Sequence, residues 1–369
     1  MKPINRLREL DFLRGIAILL VLLRHQKLFS FTQNMGWIGV DLFFTLSGFL
    51  VSGLLFKEYQ KFGKIQPKRF LIRRGFKIYP IYYLSYLLYL IPIIIKGKLT
   101  YFPLIGDLFF IQNYLTGWGY AYAASWSLAV EEHFYFGLSL FLWLAIKYKF
   151  ISFEKSVTSK KNAVSFDSFI IFVLGFCLIL RTMSNLLFPE SYSKNFTMTH
   201  LRIDSLLAGV LVAYLFYFKK EQLLKKFSQF KTASLSLVFL LLLWTPFLDA
   251  TYSFFVKTIG FSLLYISFGT LLIYFIITPN INAVLDTLFN KRVVNIVSKI
   301  GYCSYSIYII HTFVNNYSLL FVPHNLTTNL YFKFFFTSSL SILVGMAMTY
   351  YIESYFLKVR DKLVPSRTS

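Results

Sequence analysis

Residues 10–31 read LDFLRGIAILLVLLRHQKLFSF, an apolar helix candidate interrupted by Arg14, Arg24 and His25. Arg14 and His25 are eleven residues apart, so at about 3.6 residues per turn they share one face, roughly 16 Å apart along the axis. An arginine at the centre of a lipid-facing helix costs roughly 2.5–3.5 kcal/mol, so this face is expected to look into protein or a wet cavity. The helix therefore needs partners, which the rest of the chain has to supply. The basic start, Lys2, Arg6 and Arg8, also fits the opening of a signal peptide. No small-residue cleavage site follows and a second apolar span begins at once, so the stretch is expected to stay as a span.

Outward from this stretch the chain remains apolar. Of its 369 residues 56% are hydrophobic and 20% aromatic, with a mean hydropathy of +0.59, more apolar surface than a soluble domain can cover. Windows long enough to cross a bilayer start near residues 10, 36, 70, 126, 168, 201, 233, 255, 300 and 331. They predict an all-α, polytopic transmembrane helix bundle of about ten spans. The whole of 1–369 reads as one membrane-embedded domain with no separate soluble domain. Cys177 and Cys303 both fall inside apolar spans, which offers no disulfide framework, and no metal site is expected.

A net charge of +22 invites a nucleic-acid reading until the basic residues are placed. Alternate loops hold 25 of them, whereas the intervening loops hold Lys96, Lys98 and Lys194. By the positive-inside rule both termini are cytoplasmic and the span number is even. The basicity is topology: the partner is the lipid bilayer of the cell (inner) membrane, crossed many times, and nucleic acid is not expected.

Candidate chemistry sits in the spans. The second span packs Gly36, Gly39, Gly48 and Gly53 with Ser47 and Ser52, as close helix approach requires, but its Asp41 wants a partner. The third opens with Lys68, Arg69, Arg73, Arg74 and Lys77. Such a cluster can snorkel to anionic headgroups or hold a cytosolic phosphate-bearing ligand. Residues 96–125 form the longest outer loop, with Trp118 among aromatics that fit an interfacial belt or a sugar face. The fourth span carries Glu131, Glu132 and His133 just below its outer end, and ionisable groups there point to function. Arg181, Arg202 and Asp204 follow, with the arginines placed to neutralise those carboxylates. Tyr305, Tyr308 and His311 fall near one face of GYCSYSIYIIH (301–311).

Arg14-x10-His25, FFTLSGF (43–49), FLIRRGFKIYP (70–80), SWSLAVEEHFYF (125–136), LRIDSLLAG (201–209), GYCSYSIYIIH (301–311) and YYIE (350–353) together resemble the acyltransferase-3 family of integral membrane O-acyltransferases. The resemblance runs in order over essentially the whole chain. It implies transfer of an acyl group, acetyl foremost, from cytosolic acyl-CoA to a hydroxyl of an extracytoplasmic glycan or glycolipid, with acyl-CoA a substrate and no cofactor permanently bound. Arg14 and His25 match the family's first-span pair, Arg73 and Arg74 its cytoplasmic arginines, and Glu131 its carboxylate. Lys77 stands where the family often has Arg, keeping the charge without the bidentate fork, and His133 stands for the usual Gln.

The resulting expectation makes His25 the general base, oriented by Glu131 or Glu132. Arg14, Arg73, Arg74 and Lys77 bind the donor. Asp41, Trp118, Arg181, Arg202, Asp204, Tyr305 and His311 serve the acceptor side or the structure. Donor and acceptor are expected to enter one continuous polar cavity from opposite faces, lined by both Arg14 and His25, and to react directly. A span-four carboxylate is expected within a few ångströms of His25. A second reading, a transporter or flippase for a glycan intermediate, uses the same charged interior as a path; the cation cluster and the absence of repeats weigh against it.

Overall fold

The computed structural model describes residues 7–25, 28–153 and 164–367. Lys2, Arg6 and the centre of the basic 147–167 loop lie outside them. Helices dominate: α1 (Arg8–His25), α2 (Ile38–Phe62), α3 (Pro67–Ile95), α4 (Tyr101–Leu108), α5 (Trp126–Tyr148), α6 (Phe166–Leu187), α7 (Thr199–Phe218) and α8 (Lys231–Leu242) form the first part of the chain. After them come α9 (Phe261–Ile277), α10 (Ile281–Phe289), α11 (Lys291–Tyr302), α12 (Ser304–Tyr317), α13 (Leu330–Ala347) and α14 (Ser354–Leu363), with short turns between. A two-residue parallel ladder, Ile151–Ser152 with Val164–Ser165, is the β-structure among the described residues.

Local chemistry sets the helix ends. Pro67 opens α3, where its missing N–H leaves no orphan donor. Gly63 closes α2 at φ 63°, donating its N–H to the Tyr59 carbonyl, a left-handed cap that costs glycine little.

Among the described residues seven helical stretches are long and apolar enough to cross a membrane, or eight if α11 and α12, bent by 78° at Cys303, make one broken span. The ten windows of the sequence therefore overcount the spans that qualify on these terms. Two reasons are physical. The stretch α1 carries Arg8, Glu9, Asp11, Arg14 and Arg24 in 18 residues, too many charges for a continuous apolar span. The helix α8 stops after 12 residues, about 18 Å of rise against a core of about 30 Å.

Packing is tight where two helices meet through glycines. A Cβ on Gly48 of α2 would stand 1.9 Å from the Leu206 carbonyl oxygen of α7, and one on Gly209 would stand 2.1 Å from the Thr45 oxygen. Only backbones touch at that crossing. The helix α1 rests on α11, and its start is tied to α10 by Arg8, whose guanidinium donates to Asp286 at 2.5 and 3.1 Å. Those hydrogen bonds hold the Asp286 carboxyl below its usual range. With α1 pinned between α2, α11 and α12, its Arg14 face looks inward.

Candidate active site

Between α1, α2, α3, α5 and α12 lies a cavity of about 310 Å³. Arg14 enters it from α1, Arg74 and Lys77 from α3, Glu131 from α5, and Tyr305 and Tyr308 from α12. The three cations have no hydrogen-bonded partner among the described residues; Arg74 lies instead against the Phe70 and Tyr135 rings, 5.7 and 5.6 Å from their centroids. The carboxylate is held in place: the Tyr135 hydroxyl donates to Glu131 Oε2 at 2.7 Å and is itself 2.8 Å from Ser47 Oγ. Tyr305 donates to the Ile78 carbonyl at 2.7 Å, tying α12 to α3 across the wall. Three unpaired cations against one carboxylate make this a cavity built for an anion.

A second cavity of about 210 Å³ adjoins it, sharing Leu54, Arg74 and Lys77. It adds Arg69 and Arg73 from α3, and Arg360 and Arg367 from the C-terminal segment. Arg73 pairs with Asp361 at 3.0 Å and also donates to the Val364 carbonyl. Cations therefore run without a break from Arg69 to Arg14.

At the opposite end the first cavity reaches Ser127 and Tyr308, whose hydroxyls are 2.7 Å apart; Tyr308 also donates to the Ala124 carbonyl at 3.1 Å. Beyond Tyr308 stands His311, ring centroids 5.6 Å apart, and against His311 stands His25, centroids 4.8 Å apart. His311 is fully buried. A carbonyl can only accept, so its Nδ1 donates to the Tyr308 oxygen at 2.6 Å, which leaves Nε2 buried without a partner. His25 is exposed at the end of α1.

Two expectations change here. His25 does not line the cavity that holds Arg14; its ring lies against His311, and His311 against Tyr308 of the cavity wall. The group against His25 is the ring of His311, and among the described residues no hydrogen bond or ion pair joins His25 to Glu131 or Glu132. The helical positions behind this follow from α5. Glu131 points toward Arg14, while its neighbour Glu132, about 100° further round, turns away and accepts from Tyr79 at 2.9 Å, its Oε1 unpartnered. His133 faces Thr199, Nδ1 to Oγ1 at 2.7 Å.

The remaining candidates form a separate, closed network. One guanidinium nitrogen of Arg202, Nη2, donates to both Asp41 oxygens at 2.8 and 2.9 Å, Ser205 donates to the same carboxylate at 2.9 Å, and the Phe261 ring centroid lies 3.7 Å from the guanidinium. Arg181 pairs with Asp204 and donates to the Thr258 carbonyl at 3.1 Å and Ser262 Oγ at 2.9 Å. All four charged groups have no exposure. The expectation that Arg181 and Arg202 neutralise the α5 carboxylates is corrected: each has an aspartate of its own, brought by α2 or α7. Trp118 packs against Trp126 and Phe196, ring centroids 6.1 and 5.6 Å away, in the aromatic wall beside Arg202. Sequence reasoning read Ser47 only as a small packing residue and gave Ser127 and Tyr135 no role. Tyr135 was findable, since it stands four residues after Glu131 on one helix face.

An acyltransferase-domain family matches residues 7–352. A Staphylococcus aureus (strain MRSA252) protein named "Putative O-acetyltransferase" is 28% identical over the full chain, which spans 60% of that relative's length. The peptidoglycan O-acetyltransferase of Listeria monocytogenes is 31% identical over 38% of this chain and 25% of its own. No solved structure matches. A match over nearly the whole length, in a multi-pass integral membrane protein, is to a family that transfers acyl groups and leaves the transporter reading without support. The chain belongs to the acyltransferase-3 family.

Proposed function

We propose that the chain moves an acetyl group from acetyl-CoA, bound from the cytoplasm, to a hydroxyl of an extracytoplasmic glycan or glycolipid. One observation carries the reading: a run of cations from Arg69 to Arg14, with Arg74, Lys77 and Arg14 free of hydrogen-bonded partners among the described residues, leads into a cavity whose Tyr308 wall adjoins the His25–His311 pair. Phosphates are held by arginine forks. An extended thioester arm then reaches past Arg74 and Lys77 toward Tyr308. The relatives named as O-acetyltransferases support acetyl as the group carried, and the one named for peptidoglycan supports a glycan acceptor.

In this reading α1 crosses the membrane despite its charges, because its polar face is turned to the cavity. The short α8 completes a ten-span bundle with both termini cytoplasmic. His25 removes the acceptor's proton as its oxygen attacks the thioester carbonyl; the C–S bond breaks and the thiolate takes up a proton. His311, with Nδ1–H committed to Tyr308, positions the His25 ring. Glu131 stays with the donor, beside Arg14. Transfer is direct, because His25 needs only to deprotonate an acceptor that reaches it from outside.

Opening of the Tyr308–Ser127 contact brings donor and base together. In cells whose surface glycan is analysed by mass, His25→Ala is expected to lower acetylation about 10²–10⁴-fold with normal protein levels. Full acetylation by that variant would sink the mechanism. Labelled acetyl recovered on His25 from acetyl-CoA alone would replace direct transfer with a covalent intermediate.

A further inference from the structure

The C-terminal segment lies across the cation cluster of α3. Arg69 donates to the Pro365 carbonyl and Arg73 to the Val364 carbonyl; Lys61 donates to the Arg367 carbonyl at 3.2 Å. Arg367 is tied to Glu58 of α2 at 2.5 Å and stacks over Phe62, 4.1 Å from its centroid. These contacts have a pattern. Arg69 spends its fork on a neutral backbone oxygen and Arg73 divides its own between a backbone oxygen and Asp361, which Arg360 also contacts, while Arg360 and Arg367 bring two more cations into the same 210 Å³ cavity, whose lining holds Glu58 as its carboxylate. Carbonyl oxygens are weaker partners for guanidinium than phosphate oxygens. A ligand with several phosphate oxygens would displace them with a net gain.

We propose that the segment Arg360–Arg367 is a wall of the donor's nucleotide site: Arg360 and Arg367 bind its phosphates together with Arg69 and Arg73, and the Val364 and Pro365 carbonyls hold the phosphate places until the donor arrives. The proposal rests on the acetyl-CoA reading above. It assigns phosphate recognition to two residues outside α3, and it makes donor binding move α14. The commitment is to nucleotide phosphates, since the cations converge on a cavity, whereas a lipid headgroup site opens sideways to the bilayer.

The test uses the full chain in nanodiscs of zwitterionic lipid, with a fluorophore on Lys362→Cys. Lys362 is exposed and the native Cys177 and Cys303 are buried, so labelling is selective. Adenosine 3′,5′-bisphosphate is titrated in, and CoA is the competitor. Saturable change in the label, competed by CoA, is expected. In Arg360→Gln/Arg367→Gln the half-saturating concentration should rise about tenfold, as loss of charge-assisted contacts implies. Unchanged half-saturation in that variant overturns the wall while leaving the donor reading intact. If the double variant fails to fold, Arg367→Lys carries the test: binding weakened severalfold supports the wall, and unaltered binding overturns it. No nucleotide binding by the parent chain overturns both readings. A label that answers only to added phosphatidylglycerol makes the cluster a lipid site and also overturns both.

Discussion

Two groups of arginines in this bundle face opposite fates. Arg181 and Arg202 have no exposure, and each is matched to its own aspartate, with further hydroxyl, carbonyl and ring partners. Arg14, Arg74 and Lys77 are only partly buried, line a cavity, and lack a hydrogen-bonded partner among the described residues. Burial of an ion is costly in both places, and the first group offsets that cost within the protein. The second leaves it open to a ligand. The difference shows that an arginine in a span marks a binding site only when its neighbours leave it unsatisfied.

The comparison breaks first at the closed network. Asp41→Ala leaves Arg202 buried without its counter-charge and should destabilise the fold by about 3–5 kcal/mol, seen as lost yield and a lower melting temperature in detergent. Replacing both partners, Asp41→Leu with Arg202→Met, should recover most of that loss. A double variant as unstable as the single one would mean that the network does more than satisfy itself. Next is the crossing that supports it. Gly209→Ala forces a Cβ onto the Thr45 oxygen and should cost about 1–3 kcal/mol, whereas Gly137→Ala, with nothing within 4 Å, should be neutral or slightly stabilising. Equal melting temperatures for the two would refute the close approach. The smallest effect sharpens the other side. Arg74→Gln should raise the donor KM about tenfold, the worth of one charge-assisted contact, without lowering the melting temperature. A fall in stability would place Arg74 with the structural arginines.

Much of the site was readable before any coordinates. Arg14, Arg74 and Lys77, grouped from the sequence as donor-side cations, line one cavity, whereas Glu131, expected beside His25 on the outer side, lines that same cavity. Pairing was not readable. Asp41 reaches Arg202 because α2 and α7 meet at Gly48 and Gly209, and Asp204 reaches Arg181 because α7 packs against α6; which helices meet is a tertiary fact that no local pattern carries. The same holds for His311. It lies 286 positions from His25, and the bend at Cys303 helps to bring α12 beside α1. Helix breaks were hidden for a different reason: hydropathy windows average over them, so they see neither that bend nor the early stop of α8 at Leu242.

The hydroxyl contact between Tyr308 and Ser127 has a consequence for the cell's energy supply. In the reading proposed above, a charged donor is drawn deep into the bilayer, and a continuous wet path from Arg14 to the outer surface would short-circuit the ion gradients held across the membrane. Tyr308, hydrogen-bonded to both Ser127 and the Ala124 carbonyl in the cavity wall, is in that reading the residue that keeps the path shut. Substitution by a smaller residue there, Tyr308→Ala, trades acetyl traffic against leakage of protons.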